Sequence, residues 1–232
     1  MLRELISGFQ TGNFEFTDIV IYIISALAVI FITLPIHEFA HAFIAVKLGD
    51  NTPRWQGRYT INPFAHIDYL GALAIILVGF GWAKPVQVNN NNFRSPKWGM
   101  ALVALAGPVS NVILSFIALL LCYACATVFE FTQLLFFDYA AIFLNYVAFI
   151  SISLAVFNLI PIPPLDGSRI LTAFLPYKAY YTLMRFERYS SLILLALIYI
   201  GILDKPIDLV TNFIYAALSF VTALPFELLF FS

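Results

Sequence analysis

The chain has 232 residues, of which 62% are hydrophobic and only 11% are charged, and its mean hydropathy is +0.91. Soluble proteins contain roughly 45–50% apolar and about 25% charged residues, so this composition excludes an ordinary soluble protein and predicts an integral membrane protein. The net charge of −1 and the lack of any run of Lys or Arg leave no basic surface for nucleic acid, so we expect no nucleic-acid partner.

Apolar stretches long enough to span a bilayer as helices, about 20 residues each, recur along the chain. The predicted spans are residues 18–47, 100–129, 139–160, 189–203 and 207–230. The third ends where Pro161, Pro163 and Pro164 prevent the helix from continuing. The sequence therefore predicts an all-α polytopic membrane protein with about five transmembrane helices.

Between the first two spans, residues 70–82 form an apolar piece that is too short and too rich in glycine for a clear crossing. If this piece enters the membrane and returns, six basic residues around it lie on one side, together with those at 169–188, as the positive-inside rule favours. These six are Lys47, Arg54, Arg58, Lys84, Arg94 and Lys97. We therefore predict a re-entrant, partly extended loop, which needs protein or a water-filled cavity to satisfy its backbone.

The pattern predicts a single membrane domain over residues 1–232, with a core at 18–175 and C-terminal helices at 189–230. No soluble domain is expected. Five crossings and the placement of the basic residues predict a multi-pass protein of the cell membrane. The first and third helices then both run towards the cytoplasm.

An H-E-x-x-H motif, formed by His37, Glu38 and His41, lies near the inner end of the first span. Histidines four residues apart share one helical face at about 5–6 Å, which suits two ligands of one Zn²⁺, and the intervening Glu is then placed as a general base. Ionisable groups are costly inside a membrane span and indicate function. The motif therefore predicts two thirds of a zinc site.

A third ligand has to come from elsewhere, and Asp166 in the stretch NLIPIPPLDGSRIL is the strongest candidate. The prolines and the following Gly167 predict a rigid turn that carries this carboxylate at a depth similar to that of the two histidines. His66, in INPFAHIDYLG, is the alternative ligand, although a place at the surface or in contact with a ligand suits it better. The other carboxylates expected on the inner side are Asp50, Asp68 and Glu187.

These motifs together resemble the site-2 protease family of intramembrane zinc metalloproteases. The resemblance extends from about Ile32 to Leu175 and is closest to the compact members, which lack PDZ and CBS domains. The motifs that carry it are HEFAH at 37–41, NP through HID at 62–68, GFGWAKPV at 79–86, GPVSN at 107–111, and Asn158 through LDG at 165–167.

The resemblance implies a zinc-dependent endopeptidase that hydrolyses bonds in or near transmembrane segments of membrane proteins, with its active site towards the cytoplasm. It implies one Zn²⁺ per chain held by His37, His41 and Asp166, with Glu38 as the catalytic base. Asn158 would help to hold the substrate or the tetrahedral intermediate. We further expect substrate contacts at His66, Gly81 and Val86, with residues 81–88 pairing with an unwound substrate as an added strand. A homo-oligomer is left open.

Two other functions remain open at this point. A metal-ion or proton transporter would also bury His and Asp in the membrane, but it predicts inverted repeats with paired broken helices, and the chain contains one H-E-x-x-H motif. A pseudoprotease that binds membrane helices without cleaving them is opposed by the intact Glu38.

Overall fold

The computed structural model describes residues 16–78, 82–176, 190 and 192–230. Within these ranges the chain is helical and contains no strand, which confirms the predicted all-α class. The helices are α1 (Phe16–Ala28), α2 (Leu34–Lys47), α3 (Thr52–Trp55), α4 (Tyr69–Val78), α5 (Pro96–Thr132), α6 (Leu135–Asn158), α7 (Asp166–Phe174) and α8 (Asp204–Phe230). Residues 192–200 are helical as well.

Four helical segments among the described residues are long and apolar enough to cross a membrane. They are Ile23–Lys47, Pro96–Thr132, Leu135–Asn158 and Asp204–Glu227. They match four of the five predicted spans. The predicted span at 189–203 lies partly outside the described residues, so the count of five stays a prediction.

The first span is interrupted by a single π-helical segment, Val29–Thr33, which joins α1 to α2. Such π segments occur frequently at functional sites, and this one comes one turn before the H-E-x-x-H motif. The hydroxyl of Thr33 lies 3.2 Å from that of Ser151 on α6, and both residues are fully buried. This contact satisfies two polar groups in an apolar environment and ties the π segment to α6.

The long helix α5 forms the centre of the fold, with α2 and α6 packed along it and α8 resting on α5 and α6. One core cluster of small and aliphatic side chains lies where α1, α5 and α6 meet. Its buried members are Ala28, Ala118, Leu119, Val147 and Ala148. Small residues at helix contacts allow the backbones to approach closely, which is how membrane helices gain packing energy.

The two ends of the predicted re-entrant region lie together in the fold. The backbone N–H of Lys84 donates to His66 O at 2.8 Å, and a Cβ added to Gly71 at the start of α4 would lie 2.0 Å from the carbonyl oxygen of Trp82. Helix α4 has 10 residues, about 15 Å and so about half of a 30 Å hydrocarbon core. These contacts favour a segment that turns back rather than crosses, while its depth in a membrane stays a prediction.

Candidate metal centre

Three ionisable side chains of α2 come together where this helix packs against α5. One ligand atom from each of His37, Glu38 and His41 lies within 4.8 Å of the others. Both histidines are buried, and their rings meet edge to face with centroids 4.6 Å apart. The helical period that places residues i and i+4 on one face produces this arrangement.

Asp166, the first residue of α7, is brought to the same point. Its Oδ2 lies 3.2 Å from His37 Nε2 and 3.3 Å from His41 Nε2, and its side chain is 16% exposed. The following Gly167 is packed so closely against the end of α6 that an added Cβ would lie 2.1 Å from Leu159 O. The absence of a side chain at Gly167 therefore lets the loop close and aim the carboxylate at the histidines.

The hydrogen bonds around His41 indicate that these side chains fit a metal ion. Its Nδ1 lies 2.7 Å from Val103 O. A carbonyl oxygen only accepts, so Nδ1 carries the proton and the lone pair of a neutral ring lies on Nε2. That lone pair faces Asp166 Oδ2, a buried atom for which the described residues provide no hydrogen-bond partner. A proton or a metal ion can join two acceptor atoms in this arrangement, and a set of two imidazole nitrogens and one carboxylate oxygen suits Zn²⁺.

Gly107 of α5 makes the close approach of the helices possible. A Cβ at this position would lie 2.5 Å from Cε1 of both His37 and His41, a distance that real side-chain contacts do not show. The neighbouring turn of α5 carries Asn111, which is fully buried with its Nδ2 3.1 Å from His37 Nδ1. Helix α5 thus supplies a contact to each histidine.

The carboxylate of Glu38 is held from the other side. The backbone N–H of Val86 donates to Glu38 Oε2 at 2.9 Å. Glu38 is only half-buried, whereas the two histidines beside it are buried. The carboxylate therefore lies beside the two histidines but is more exposed than they are.

The remaining predicted residues make other contacts. Asn158 donates from Nδ2 to Leu154 O at 2.9 Å, within its own helix. His66 is 1% exposed with Nε2 2.8 Å from Thr60 O, so this hydrogen bond holds it within its own loop. Gly81 lies outside the described residues.

Sequence reasoning gave no role to three groups at this centre. Gly107 and Asn111 stand in the GPVSN stretch, and a small residue four positions before a polar one in an apolar span was the available signal. Val103 contributes its backbone oxygen. Every residue has such an oxygen, so the sequence does not indicate which one is used.

Comparison with known proteins agrees with this site. The model of peptidase family M50 matches residues 127–201, which include Asn158 and Asp166. The "Putative zinc metalloprotease YwhC" of Bacillus subtilis (strain 168) is 40% identical over 172 residues, which cover 72% of this chain and 76% of that protein.

Two mycobacterial proteins are similar as well. The "Putative zinc metalloprotease Rip2" of Mycolicibacterium smegmatis is 29% identical over 182 residues, 75% of this chain and 66% of that protein. The protein of the same name from Mycobacterium tuberculosis (strain H37Rv) is 32% identical over 174 residues, 72% of this chain and 63% of that protein. No solved structure matches the chain significantly.

Apolar spans and a His-Glu-His cluster with two buried histidines fit a membrane metallohydrolase. The chain belongs to peptidase family M50. It is accordingly a zinc-dependent metalloendopeptidase, which confirms the predicted class of enzyme and its cofactor.

Proposed function

We propose that this protease acts within the membrane, on peptide bonds in or near transmembrane segments of membrane proteins. The supporting observation is the position of the histidine cluster along the first candidate span. His37 lies ten residues before the end of the span Ile23–Lys47, which is about 15 Å along the helix at 1.5 Å per residue. In this proposal the span crosses the membrane, and a centre at this position reaches bonds that soluble proteases cannot.

In this proposal His37, His41 and Asp166 hold one Zn²⁺, and Glu38 is the general base. Zinc bound there supplies a Lewis acid for peptide carbonyls and makes water acidic enough to react at neutral pH. Glu38 takes the proton of the attacking water and returns it to the nitrogen of the leaving amine. The hydrogen bond from Val86 N–H leaves the second oxygen of Glu38 available for this transfer.

A substrate helix hides its carbonyl groups in hydrogen bonds, so it has to unwind before attack. The proposal gives the role of an extended partner to residues 81–88, since residues 82–88 have no regular secondary structure and contact Glu38 through Val86. Gly81, Val86 and His66 contribute to this substrate-binding side, and Asn158 at the end of α6 contributes as well.

The same proposal orients the active site towards the cytoplasm of a cell membrane. Basic residues stand between the last turn of the H-E-x-x-H helix and the start of α5, namely Lys47, Arg54, Arg58, Lys84 and Arg94. By the positive-inside rule, the end of a transmembrane helix that is followed by an excess of Lys and Arg faces the cytoplasm.

The test compares wild type with Glu38→Gln, which keeps the shape of the side chain but cannot take a proton. Both proteins are purified as full chains with their zinc content measured, and are given single-span peptides in lipid vesicles. We expect wild type to cut within the apolar span, and Glu38→Gln to keep its zinc but lose cleavage by about 10²–10⁴-fold. The control peptide has the same residues at the cut but charged substitutions along the span.

Cleavage that survives in Glu38→Gln would contradict the proposed base. Equal cleavage of the charged control peptide would contradict the intramembrane substrate class. Zinc flux across the vesicles without any cleavage would favour the transporter instead.

A further inference from the structure

One side of α5 carries three successive contacts to the histidine cluster, at positions 103, 107 and 111. Val103 O meets His41 Nδ1 at 2.7 Å, and Asn111 Nδ2 meets His37 Nδ1 at 3.1 Å. The carbonyl of Val103 points along the helix towards position 107, and the side chain of Asn111 tilts back towards the same position. Both contacts thus converge beside Gly107, where the rings touch the helix.

The two histidines differ in how their protons are placed. A backbone carbonyl requires the proton of His41 to be on Nδ1, but the carboxamide of Asn111 can present either an acceptor or a donor to His37. As placed, the amide presents its Nδ2, while its Oδ1 is buried without a hydrogen-bond partner among the described residues. The amide oxygen is therefore the one group of Asn111 that this arrangement leaves unsatisfied.

Binding of a metal at His37 Nε2, the atom 3.2 Å from Asp166 Oδ2, requires the opposite arrangement. Nε2 must then keep its lone pair, so the proton lies on Nδ1 and has to meet an acceptor. Rotating the amide by 180° exchanges its oxygen and nitrogen at nearly the same positions. After that rotation Oδ1 accepts from His37 Nδ1–H, which removes the unsatisfied oxygen as well.

We infer that Asn111 is a positioning residue for the zinc site: its Oδ1 accepts from His37 Nδ1–H and so selects the ring form that presents Nε2 to the metal. The inference rests on the proposed zinc ligands. Partners of this kind fix the orientation of a ligating histidine and increase its basicity, and their loss typically costs about 10–100-fold in metal affinity.

The test measures the zinc affinity of purified full-length protein by competition with a chelator, without reference to cleavage. Asn111→Leu removes the acceptor, and we expect affinity to fall about 10–100-fold. Asn111→Asp retains an acceptor oxygen at the same place, and we expect it to bind zinc at least as tightly as wild type. Ser115→Ala is the matched control, since Ser115 is fully buried one turn further along α5 and donates to Asn111 O and Ala148 O.

Wild-type affinity in Asn111→Leu would overturn the inference, and so would an equal loss in Asn111→Asp or in Ser115→Ala. If Asn111→Leu does not fold, nitrogen NMR of ¹⁵N-histidine-labelled wild type decides, because the chain has only three histidines. A His37 ring protonated at Nε2 in the zinc-loaded protein would overturn the inference. Failure of wild type to bind zinc or to cleave would instead contradict the proposed function.

Discussion

The backbone N–H of Val86 donates to Glu38 Oε2 at 2.9 Å, which joins the segment after α4 to the H-E-x-x-H helix across 48 positions of sequence. Val86 is buried, and its N–H is used by Glu38 rather than left for another partner. The N–H of Val86 therefore orients the carboxylate, and a substrate strand would pair with other backbone groups of residues 81–88.

Val86→Pro removes this N–H and tests the relationship directly. A hydrogen bond to a charged group contributes about 1.5–3 kcal/mol, so we expect cleavage to slow by about 10–100-fold while zinc stays bound. Val86→Ala keeps the N–H and is the control, with an expected rate near that of wild type. Release of zinc from Val86→Pro would show instead that the substitution disturbs the metal centre as a whole.

Asp50, just beyond the end of α2, holds the same segment further along. The carboxylate is fully buried and accepts from Asn89 N–H at 2.8 Å, from Asn92 Nδ2 at 2.7 Å, and from both the N–H and the hydroxyl of Thr52. The hydrogen bond from Asn89 N–H therefore fixes the position of the chain three residues after Val86. We expect Asp50→Asn to slow cleavage when it is the only substitution. In a Val86→Pro background it should slow cleavage little further, as measured in a double-mutant cycle. Additive effects would mean that Asp50 acts independently of Val86.

The stability of the protein at low pH depends on Asp50 as well. Burial by itself raises the pKa of this carboxyl, but the hydrogen bonds from Thr52, Asn89 and Asn92 outweigh it and hold the pKa below its usual value. A lowered pKa contributes stability above the ordinary Asp pKa of about 3.9, and this is lost as pH falls towards the folded value. Below about pH 4 we expect the thermal unfolding midpoint of wild type to fall. The fall should be smaller in Asp50→Asn, with both proteins measured without metal. Identical pH profiles would contradict this.

Gly107→Ala tests the closeness of α5 to the histidines. The new Cβ would lie 2.5 Å from ring atoms of His37 and His41, and neither ring can move without leaving its hydrogen bond. Overpacking of this kind costs about 1–3 kcal/mol. We expect weaker zinc binding by chelator competition and a lower unfolding midpoint. Val109→Ala, at an exposed position of the same helix, is the control and should match wild type in both measurements.

Asp166→Asn tests the third proposed ligand. The substitution keeps the size of the side chain but removes the charge that faces both Nε2 atoms. Loss of a hydrogen bond to a metal ligand typically lowers metal affinity by about 10–100-fold. Loss of a ligand itself should lower it further, so we expect a mild chelator to remove zinc from this variant. Asp68→Asn is the control, because Asp68 accepts from Gly71 N–H at the start of α4. Equal zinc affinity in Asp166→Asn and wild type would remove Asp166 from the ligand set.

The sequence predicted the parts of this protein that depend on local periodicity. A helical repeat brings His37 and His41 to one face, and the apolar lengths predicted four of the spans to within five residues at each end. Asp166 was chosen because prolines end a helix before it at a comparable depth, and the structure brings its carboxylate to within 3.3 Å of both rings. The π segment at Val29–Thr33 was not predicted, because its apolar residues would suit an ordinary helix equally well.

The tertiary structure alone decided how the cluster is held. Val103 O, Val86 N–H and Asn89 N–H are backbone groups, which every residue type except proline provides in full, so no side-chain pattern marks the ones that are used. Gly107 and Asn111 are visible as residues, but their roles depend on a crossing of α2 and α5 between parts of the chain about 70 positions apart. The sequence by itself determined which side chains are the candidates to hold zinc and act as a base, because that chemistry belongs to residue types. Their proton placement and orientation were decided by the packing of distant backbone, because hydrogen bonds depend on where atoms meet in space.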